Sequence, residues 1–279
     1  MKKYRLLLLL LCLMLLLAAC AKETPAPTAP PVTTTAPPVS TTATPTTVPP
    51  TTTEAETTVP VPQIEVNEVH KSYIQQGTGT VLANVSLSVP AETGLQNADA
   101  YYAQWLDDMS FYIEQDLVDL EAFLADEDSG PFYGPYEYDA SFQVGRNDGV
   151  LLSFARDFYT FTGGAHGGTG YWSETYIVES GVLLSASDLF AMPFDEAMDQ
   201  VCLRVVGIMS DEALSDLYDT ENPEASLKEG WDSRDFYFTE TGIVFLWQQY
   251  AVAPYAAGAQ IYELPYADVA DILNPRWLP

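Results

Sequence analysis

Of the two histidines in the chain, His166 has the sequence context that suggests chemistry. It lies in the segment Thr162–Gly168, with two glycines before it and two directly after it. Glycine has no Cβ, so the backbone here can approach a ligand closely. The imidazole could hydrogen-bond a carbohydrate hydroxyl or a carboxylate, or act as a general base. It could also hydrogen-bond the neighbouring backbone and fix the turn. The candidate ligand-binding residues of this region are Tyr159, Gly163, Gly164 and His166.

A second segment with binding potential is Tyr250–Gly258. Its candidate ligand-binding residues are Tyr250, Pro254, Tyr255 and Gly258. They could line a groove with exposed aromatic faces, as in many sugar- and peptide-binding sites, or they could pack in the core beside a turn. Both interpretations stay open at this point. If this segment and the His166 loop form one rim, a single ligand would contact both.

Other patterns that could do chemistry are weak or absent in the sequence. His70 lies near Glu68 in a predicted strand and is interpreted as a structural or surface residue. The segment Asp126–Gly130 is acidic like a calcium loop but lacks the full ligand series, and no Cys/His cluster has metal-ligand spacing. The sequence contains no G-x-S-x-G, P-loop or paired-cysteine motif. We therefore expect no catalytic residue, no metal and no cofactor.

The amino terminus has the features of an exported lipoprotein. A basic stretch precedes twelve consecutive apolar residues, Leu6–Leu17, which are followed by Ala-Ala-Cys. This run is shorter than the roughly 20 residues of a transmembrane helix and fits the apolar region of a signal peptide. Leu17–Cys20 resembles the bacterial lipobox, which implies cleavage after residue 19 and a diacylglyceryl group on Cys20. Two or three acyl chains anchor a protein stably, so the resemblance places the chain on the outer face of the cell membrane. An uncleaved anchor or an ordinary secretory signal is the alternative.

A long tether follows the lipid-modified cysteine, and we assign residues 20–62 to it. From Thr24 to Pro62, 26 of 39 residues are Thr or Pro. Such a segment buries too little apolar area to offset the entropy of ordering, so we expect disorder with extended polyproline character. At about 3.1 Å per residue it would reach on the order of 120 Å.

The net charge excludes some partners. Removal of residues 1–19 leaves 8 basic and 39 acidic residues, a formal net charge of −31. This charge repels nucleic acid and favours cationic partners, or it serves solubility alone. After the leader, Cys202 is the one cysteine besides Cys20, so no internal disulfide is possible, and its apolar neighbours predict that it is buried and inert.

The periodicity of the remaining 217 residues predicts an α+β fold. Alternating apolar residues predict strands over Ile64–Val89, and apolar residues at steps of three and four predict one long helix over Asn97–Leu124. A tight-turn signal at Asn147–Gly149 separates two further strands. Further predicted elements are strands over Tyr171–Val178, Val182–Leu184, Phe236–Thr239, Ile243–Trp247 and Ala259–Leu264, a helix over Phe194–Ile208 and a final helix over Tyr266–Leu273. The prediction is antiparallel sheets with packed helices, in two consecutive subdomains over residues 63–146 and 147–279.

Several local motifs of the second half resemble one known family. Residues 159–166, YTFTGGAH, are similar to its Y-x-Y-T-G-G-A-H signature, and residues 185–190, SASDLF, to its L-x-D-L-F step. Residues 236–243, FYFTETGI, and 250–258, YAVAPYAAG, are similar to F-Y-L-T-x-x-G-L and Y-x-I-A-P-Y-A-A-G. Pro265 and Tyr266 then match its I-P-Y motif before a closing helix. The chain resembles the RsiV-type C-terminal domain, the extracellular part of the anti-sigma-V factor, which follows a smaller domain also found in the peptidoglycan deacetylase PdaC.

The resemblance implies a non-enzymatic module of the cell envelope. The anti-sigma-V factor binds lysozyme, so a cationic protein such as lysozyme is the implied partner. We expect this chain to differ in having a lipobox in place of a transmembrane helix and no cytoplasmic segment for a sigma factor. It also lacks the T-F-D-D-G and H-x-x-x-H patterns of a polysaccharide deacetylase, and Gly167-Gly168 replace bulkier polar residues after the histidine.

Three functions are consistent with these observations. The first is a cell-surface lipoprotein that binds a cationic protein such as lysozyme, or a peptidoglycan fragment, without catalysis. The second is an envelope glycan-modifying enzyme centred on His166. The third is a structural surface protein without a specific soluble ligand.

Overall fold

The structure is a computed structural model and describes residues 61–279. The predicted signal peptide, the lipidation site at Cys20 and nearly all of the predicted tether lie outside the described residues. Within residues 61–279, no helix combines the length and the apolar character needed to cross a bilayer.

Nine strands and six helices form across residues 61–279. The strands are β1 Val66–Ile74, β2 Val81–Pro90, β3 Tyr136–Asn147, β4 Leu151–Phe161, β5 Gly168–Ile177, β6 Val182–Leu183, β7 Phe236–Phe238, β8 Gly242–Trp247 and β9 Gln260–Pro265. The helices are α1 Gln96–Ala125, α2 Ala186–Leu189, α3 Phe194–Ile208, α4 Asp211–Asp216, α5 Pro223–Gly230 and α6 Tyr266–Val269.

The first sheet has six strands in the order β1-β2-β3-β4-β5-β6. Neighbouring strands are antiparallel except β2 and β3, which are parallel because the long helix α1 forms the crossover between them. The predicted apolar stripe of α1 packs on this sheet, where Ile113, Leu117 and Leu120 are buried against Leu87 and Tyr138. Burial of these side chains from water drives the docking of the helix on the sheet.

The second sheet has three antiparallel strands in the order β7-β8-β9. All six residues of β8 are buried, because both faces of this sheet are covered. Phe245 and Trp247 contribute to a core that includes residues of α3, α5 and α6. On the opposite face, Val244 and Leu246 pack against residues of β4 and β5. The α+β class with mainly antiparallel sheets and packed helices is therefore confirmed.

The last predicted helix is shorter than the sequence indicated. It was expected to reach Leu273, but α6 ends at Val269. The backbone after it pairs with another segment, since the Ala191 amide donates to the Ile272 carbonyl at 2.9 Å and the Asn274 amide donates to the Leu189 carbonyl at 2.9 Å. A hydrogen-bonded turn follows Val269, whose carbonyl accepts from the Leu273 amide at 2.9 Å, and the bonds to residues 189 and 191 then direct the chain away from a helix. The boundary predicted between residues 146 and 147 falls at the end of β3, and the division into subdomains stays a prediction.

Candidate functional site

The structure brings the His166 loop and the Tyr250–Gly258 segment together. The imidazole of His166 stacks on the ring of Tyr255, with centroids 3.9 Å apart and planes 22° from parallel. The Tyr255 hydroxyl donates to the Gly167 carbonyl at 3.0 Å. Tyr250 extends this array, since its ring centroid is 5.8 Å from that of Tyr255. We call His166, Gly167, Tyr250 and Tyr255 the aromatic rim.

The glycines of the His166 loop make this arrangement possible. Gly163 and Gly164 have φ values of 88° and 101°, a backbone conformation that residues with a side chain rarely adopt. At Gly167, a Cβ atom would lie 2.5 Å from the ring of Tyr159 and 2.5 Å from the Thr160 carbonyl oxygen. The ring of Tyr159 therefore packs directly against Gly167, whose carbonyl accepts a hydrogen bond from Tyr255.

The Tyr250 side of the rim is shaped by two consecutive turns. Tyr250 has a φ of 66°, which is uncommon for a residue with a side chain, and its side chain is 55% exposed. Pro254 begins a 3₁₀ turn, in which its carbonyl accepts from the Ala257 amide at 3.0 Å. Gly258 ends this turn by donating its amide to the Tyr255 carbonyl at 3.0 Å. The turns present aromatic faces at the surface and do not bury them in the core.

His166 has one ring nitrogen committed to the backbone. Its Nδ1 lies 2.7 Å from the Gly167 carbonyl oxygen. A carbonyl can only accept, so Nδ1 carries the proton, and in the neutral ring Nε2 keeps a lone pair. The imidazole thus fixes the turn, and its Nε2 is the atom with which it could contact a ligand. A role of the eight candidate residues in ligand binding stays a prediction.

A cavity of the described chain lies beside the rim, along the edge of β5. Its volume is about 970 Å³, and residues 171–176 of β5 line it. We call this cavity the β5 groove. The groove is lined by the start of α1, by β5 and β6, by the starts of α2 and α3, and by the loop before β7. Its lining residues include Asn97, Tyr101, Trp172, Phe194, Asp232 and Asp235.

Gln248 and Gln249 connect the groove to the rim. The side chain of Gln248 accepts from the Tyr171 amide at 3.0 Å and donates to the Tyr171 carbonyl at 2.8 Å. The side chain of Gln249 accepts from the Thr169 amide at 3.2 Å. Gln248 lines the groove and Gln249 directly precedes Tyr250 of the rim, so the rim and the groove lie next to each other along β5.

Asp235 is a buried carboxyl group in the groove. It is 6% exposed, and its Oδ1 accepts from Nε2 of Gln248 at 3.1 Å. Burial raises the pKa of Asp235 to about 7, and the nearby charge of Asp232 acts in the same direction. A carboxyl group with this pKa is partly protonated near neutral pH, so it can both donate and accept hydrogen bonds.

A buried ion pair joins Glu174, which lines the groove, to Arg156, which does not. The Arg156 guanidinium donates to both oxygens of Glu174, at 2.6 and 3.0 Å, and both side chains are almost completely buried. The Tyr101 hydroxyl bridges the pair, donating to Glu174 at 3.1 Å and accepting from Arg156 at 2.9 Å. Burial and the Glu174 charge raise the pKa of Tyr101 to about 12. The ring of Tyr101 is thereby fixed at the groove surface.

The remaining predicted groups do not form a site. His70 is exposed on β1, 3.7 Å from Glu68, as expected for a surface residue. Cys202 is buried, as predicted, and burial raises the pKa of its thiol to about 12. Within the part of the chain that the structure describes, no three His, Cys, Asp or Glu side chains are grouped so as to hold a metal ion.

Sequence reasoning missed the groove because its residues come from six separate segments. Trp172 lies in a predicted strand and Tyr101 in the predicted long helix, so the sequence indicates only a packing role for each side chain. The one local signal was Asp235, an acidic residue set between Trp231 and the apolar strand that begins at Phe236.

Two family models match the chain. The model described as "Deacetylase PdaC" matches residues 56–169, and the model described as "Protein of unknown function (DUF3298)" matches residues 188–267. The chain carries a PdaC-type domain followed by a DUF3298 domain. The PdaC-type match includes His166, and the DUF3298 match includes Tyr250 and Tyr255, so the aromatic rim is built from both.

Two solved structures with a similar fold are members of the DUF3298 family. A family member from Bacteroides fragilis NCTC 9343 is 18% identical with a TM-score of 0.59, and the match covers 78% of this chain and 95% of that one. A family protein from Pseudomonas aeruginosa PAO1 is 16% identical with a TM-score of 0.51, covering 78% of this chain and 97% of that one. At these identities the likeness establishes the fold alone. No curated protein matches the chain.

Proposed function

We propose that this chain is an extracytoplasmic lipoprotein, anchored to the membrane through Cys20, whose folded part captures a cationic protein such as lysozyme without catalysis. The aromatic rim is the proposed contact surface. A peptidoglycan fragment is the alternative ligand of the rim, because exposed aromatic faces also suit sugars. The motifs that resemble the RsiV-type domain support the choice of lysozyme.

The observation that carries the proposal is the nearly uncompensated negative charge of the folded part. Residues 61–279 contain 36 acidic and seven basic side chains, a formal net charge of −29. Six of the seven basic side chains lie within 4 Å of an acidic partner in the same chain; these are Arg146, Arg156, Arg204, Lys228, Arg234 and Arg276. Among the described residues only Lys71 has no such partner. A surface of this kind attracts cationic proteins and repels nucleic acid.

The aromatic rim provides a defined contact surface, which the negative charge alone does not provide. Charge complementarity mainly accelerates encounter, whereas affinity comes from a few buried anchors, most often aromatic. Tyr250 is 55% exposed and Tyr255 is partly exposed, so both rings are accessible to a partner. The stack on His166 holds Tyr255 in place before binding, which lowers the entropy lost when a partner docks.

Binding without catalysis is the expected mode because His166 lacks the partners of a general base. Its Nδ1 bonds to a backbone carbonyl, and among the described residues no carboxylate orients its ring. An acid–base histidine usually relies on such an orienting group. An envelope glycan-modifying enzyme centred on His166 remains the second candidate, and the lone pair on Nε2 is the feature that favours it.

A pull-down tests the proposal directly. The purified chain, immobilised through its amino-terminal region, is incubated with lysozyme and, separately, with soluble muropeptides. We expect retention of lysozyme that persists at physiological salt and is lost in Tyr255→Ala. Retention of muropeptides without lysozyme would favour the glycan ligand, and retention of neither would refute the proposed function.

A further inference from the structure

The β5 groove has the dimensions of a ligand site and lies outside the aromatic rim. A volume of about 970 Å³ is at the upper end of the range for small-ligand pockets, which suits an extended molecule of several units. All of its lining segments belong to one compact unit of the chain. The groove is therefore a preformed feature of the fold.

Three partly exposed aromatic residues line the groove. Tyr101, Trp172 and Phe194 are 40%, 38% and 38% exposed. None of the three stacks on another of them among the described ring pairs, so they form separate platforms. Flat apolar faces of this kind match the C–H faces of sugar rings.

Each platform is held in place by its surroundings. Tyr101 is fixed by its hydrogen bonds to Glu174 and Arg156. Trp172 lies over Gly170, where a Cβ would come within 2.6 Å of the indole, so the missing side chain makes room for the ring. Phe194 stacks on Trp231, with centroids 5.9 Å apart and planes 27° from parallel. Rings that are ordered before binding lose little entropy on contact with a ligand.

A polar group with unused hydrogen-bonding capacity lines the same groove. Asp235 is 6% exposed and lines the groove, and its Oδ1 is bonded to Gln248. The hydrogen bonds of the described residues leave its Oδ2 without a donor. A ligand hydroxyl or amide N–H that reaches Oδ2 from the groove would gain a hydrogen bond to this oxygen. The pKa of about 7 allows the carboxyl to accept from or donate to such groups.

The charges of the groove disfavour an anionic ligand, and its edge disfavours a peptide strand. The acidic lining residues Asp232 and Glu174 are paired with Arg234 and Arg156, and Arg234 is the one basic residue of the lining, so the groove offers no unpaired cation to an anionic ligand. The N–H and C=O of Tyr171, which an added strand would need, are already bonded to Gln248.

We propose that the β5 groove binds a neutral oligosaccharide, with Trp172, Tyr101 and Phe194 as stacking platforms and Asp235 as the buried hydrogen-bonding group. This site is separate from the aromatic rim and does not depend on the capture of a cationic protein.

The test is a calorimetric titration of the purified chain with oligosaccharides of equal length. The neutral probes are cellohexaose, maltohexaose and chitohexaose, the anionic probe is hexagalacturonate, and hexalysine represents a basic peptide. We expect at least one neutral probe to bind and hexagalacturonate not to bind. Trp172→Ala should weaken binding about tenfold or more, which corresponds to about 1.4 kcal/mol. Asp235→Asn, which retains an acceptor for Gln248, should weaken it less.

Phe111→Ala is the matched control, since Phe111 is 63% exposed on α1 and does not line the groove. It should leave sugar affinity unchanged. If Trp172→Ala does not fold, Trp172→Phe is titrated in its place. Quenching of tryptophan fluorescence by the bound sugar then serves as a second measurement of binding. The proposal would be overturned if the folded protein bound none of the neutral probes. It would also be overturned if the protein bound only hexalysine and Trp172→Ala abolished that binding. Loss of lysozyme capture with sugar binding intact would affect only the rim.

Discussion

The imidazole of His166 stacks on the phenol ring of Tyr255 at a centroid distance of 3.9 Å, and both side chains hydrogen-bond the same carbonyl, that of Gly167. This contact joins the last part of the PdaC-type match to the DUF3298 match. It makes one surface from two loops that are far apart in the sequence. A ligand of this surface would therefore contact residues of both matched segments.

The buried Arg156–Glu174 pair is predicted to be a major determinant of stability. Removal of one partner leaves an uncompensated buried charge, so Glu174→Ala should lower the free energy of unfolding by about 3 to 5 kcal/mol. Urea unfolding followed by circular dichroism measures this change. The control is Glu179→Ala, which breaks the exposed pair with Arg276 and should cost less than about 1 kcal/mol. Equal effects of the two substitutions would contradict the role assigned to burial.

Asp235 is predicted to make stability depend on pH. Burial raises its pKa from 3.8 to about 7, so between these values the folded chain keeps a proton that the unfolded chain has lost. The resulting stabilisation is present at low pH and is lost as pH rises through about 7. Asp235→Asn removes this dependence, and at pH 8 it should be more stable than the wild type by about 1 to 3 kcal/mol.

Thermal unfolding at about pH 5 and pH 8 in both proteins checks this prediction. Comparison with the variant is needed because the net charge of the chain also changes with pH. If the wild type and Asp235→Asn lose stability equally between the two pH values, Asp235 does not titrate in this window.

Cys20 is predicted to carry the lipid. Because Leu17–Cys20 resembles a lipobox, Cys20→Ala should abolish incorporation of a fatty-acid probe and leave the protein unprocessed or released from the membrane. Metabolic labelling followed by fractionation measures both effects. Cys202→Ala is the control and should label normally, since Cys202 is buried in the folded chain. Retained label in Cys20→Ala would refute the lipid assignment.

The folded part is predicted to be inactive on envelope glycans. Purified protein incubated with peptidoglycan or chitooligosaccharides should release no product detectable by mass spectrometry. The expected reason is that His166 has no orienting carboxylate among the described residues. Turnover that disappears in His166→Ala would promote the enzyme hypothesis and reject the binding one.

The sequence predicted the secondary structure well where one periodicity was continuous. The apolar stripe of α1 appears as Ile113, Leu117 and Leu120 in the core, and the turn at Asn147–Gly149 joins β3 to β4 as expected. The sequence did not predict structure that depends on hydrogen bonds between segments far apart in the chain. The end of α6 depends on backbone hydrogen bonds between residues 272–274 and 189–191, which no local pattern reveals.

The site was predictable only in part, for a similar reason. Glycine around His166 and aromatic residues around Tyr255 are local signals, and they identified both loops. Their direct contact depends on how the small sheet packs against β4 and β5, which the sequence does not specify locally. Asp235 and Trp172 meet only in the folded chain, and neither stands in a recognisable motif.

The most direct test of the central claim is a calorimetric measurement of the affinity of the purified chain for lysozyme at low and moderate salt. The proteins compared are the wild type, Tyr255→Ala, His166→Ala and the control Phe111→Ala. Electrostatic steering predicts tighter binding at low salt, because the Debye length falls from about 10 Å at 0.1 M to about 3 Å at 1 M. At one fixed salt concentration, each rim variant should bind about tenfold or more weakly at unchanged circular dichroism, while Phe111→Ala should bind like the wild type. Affinity that follows ionic strength but is equal in all four proteins, or no binding even at low salt, would contradict capture of a cationic protein by the aromatic rim.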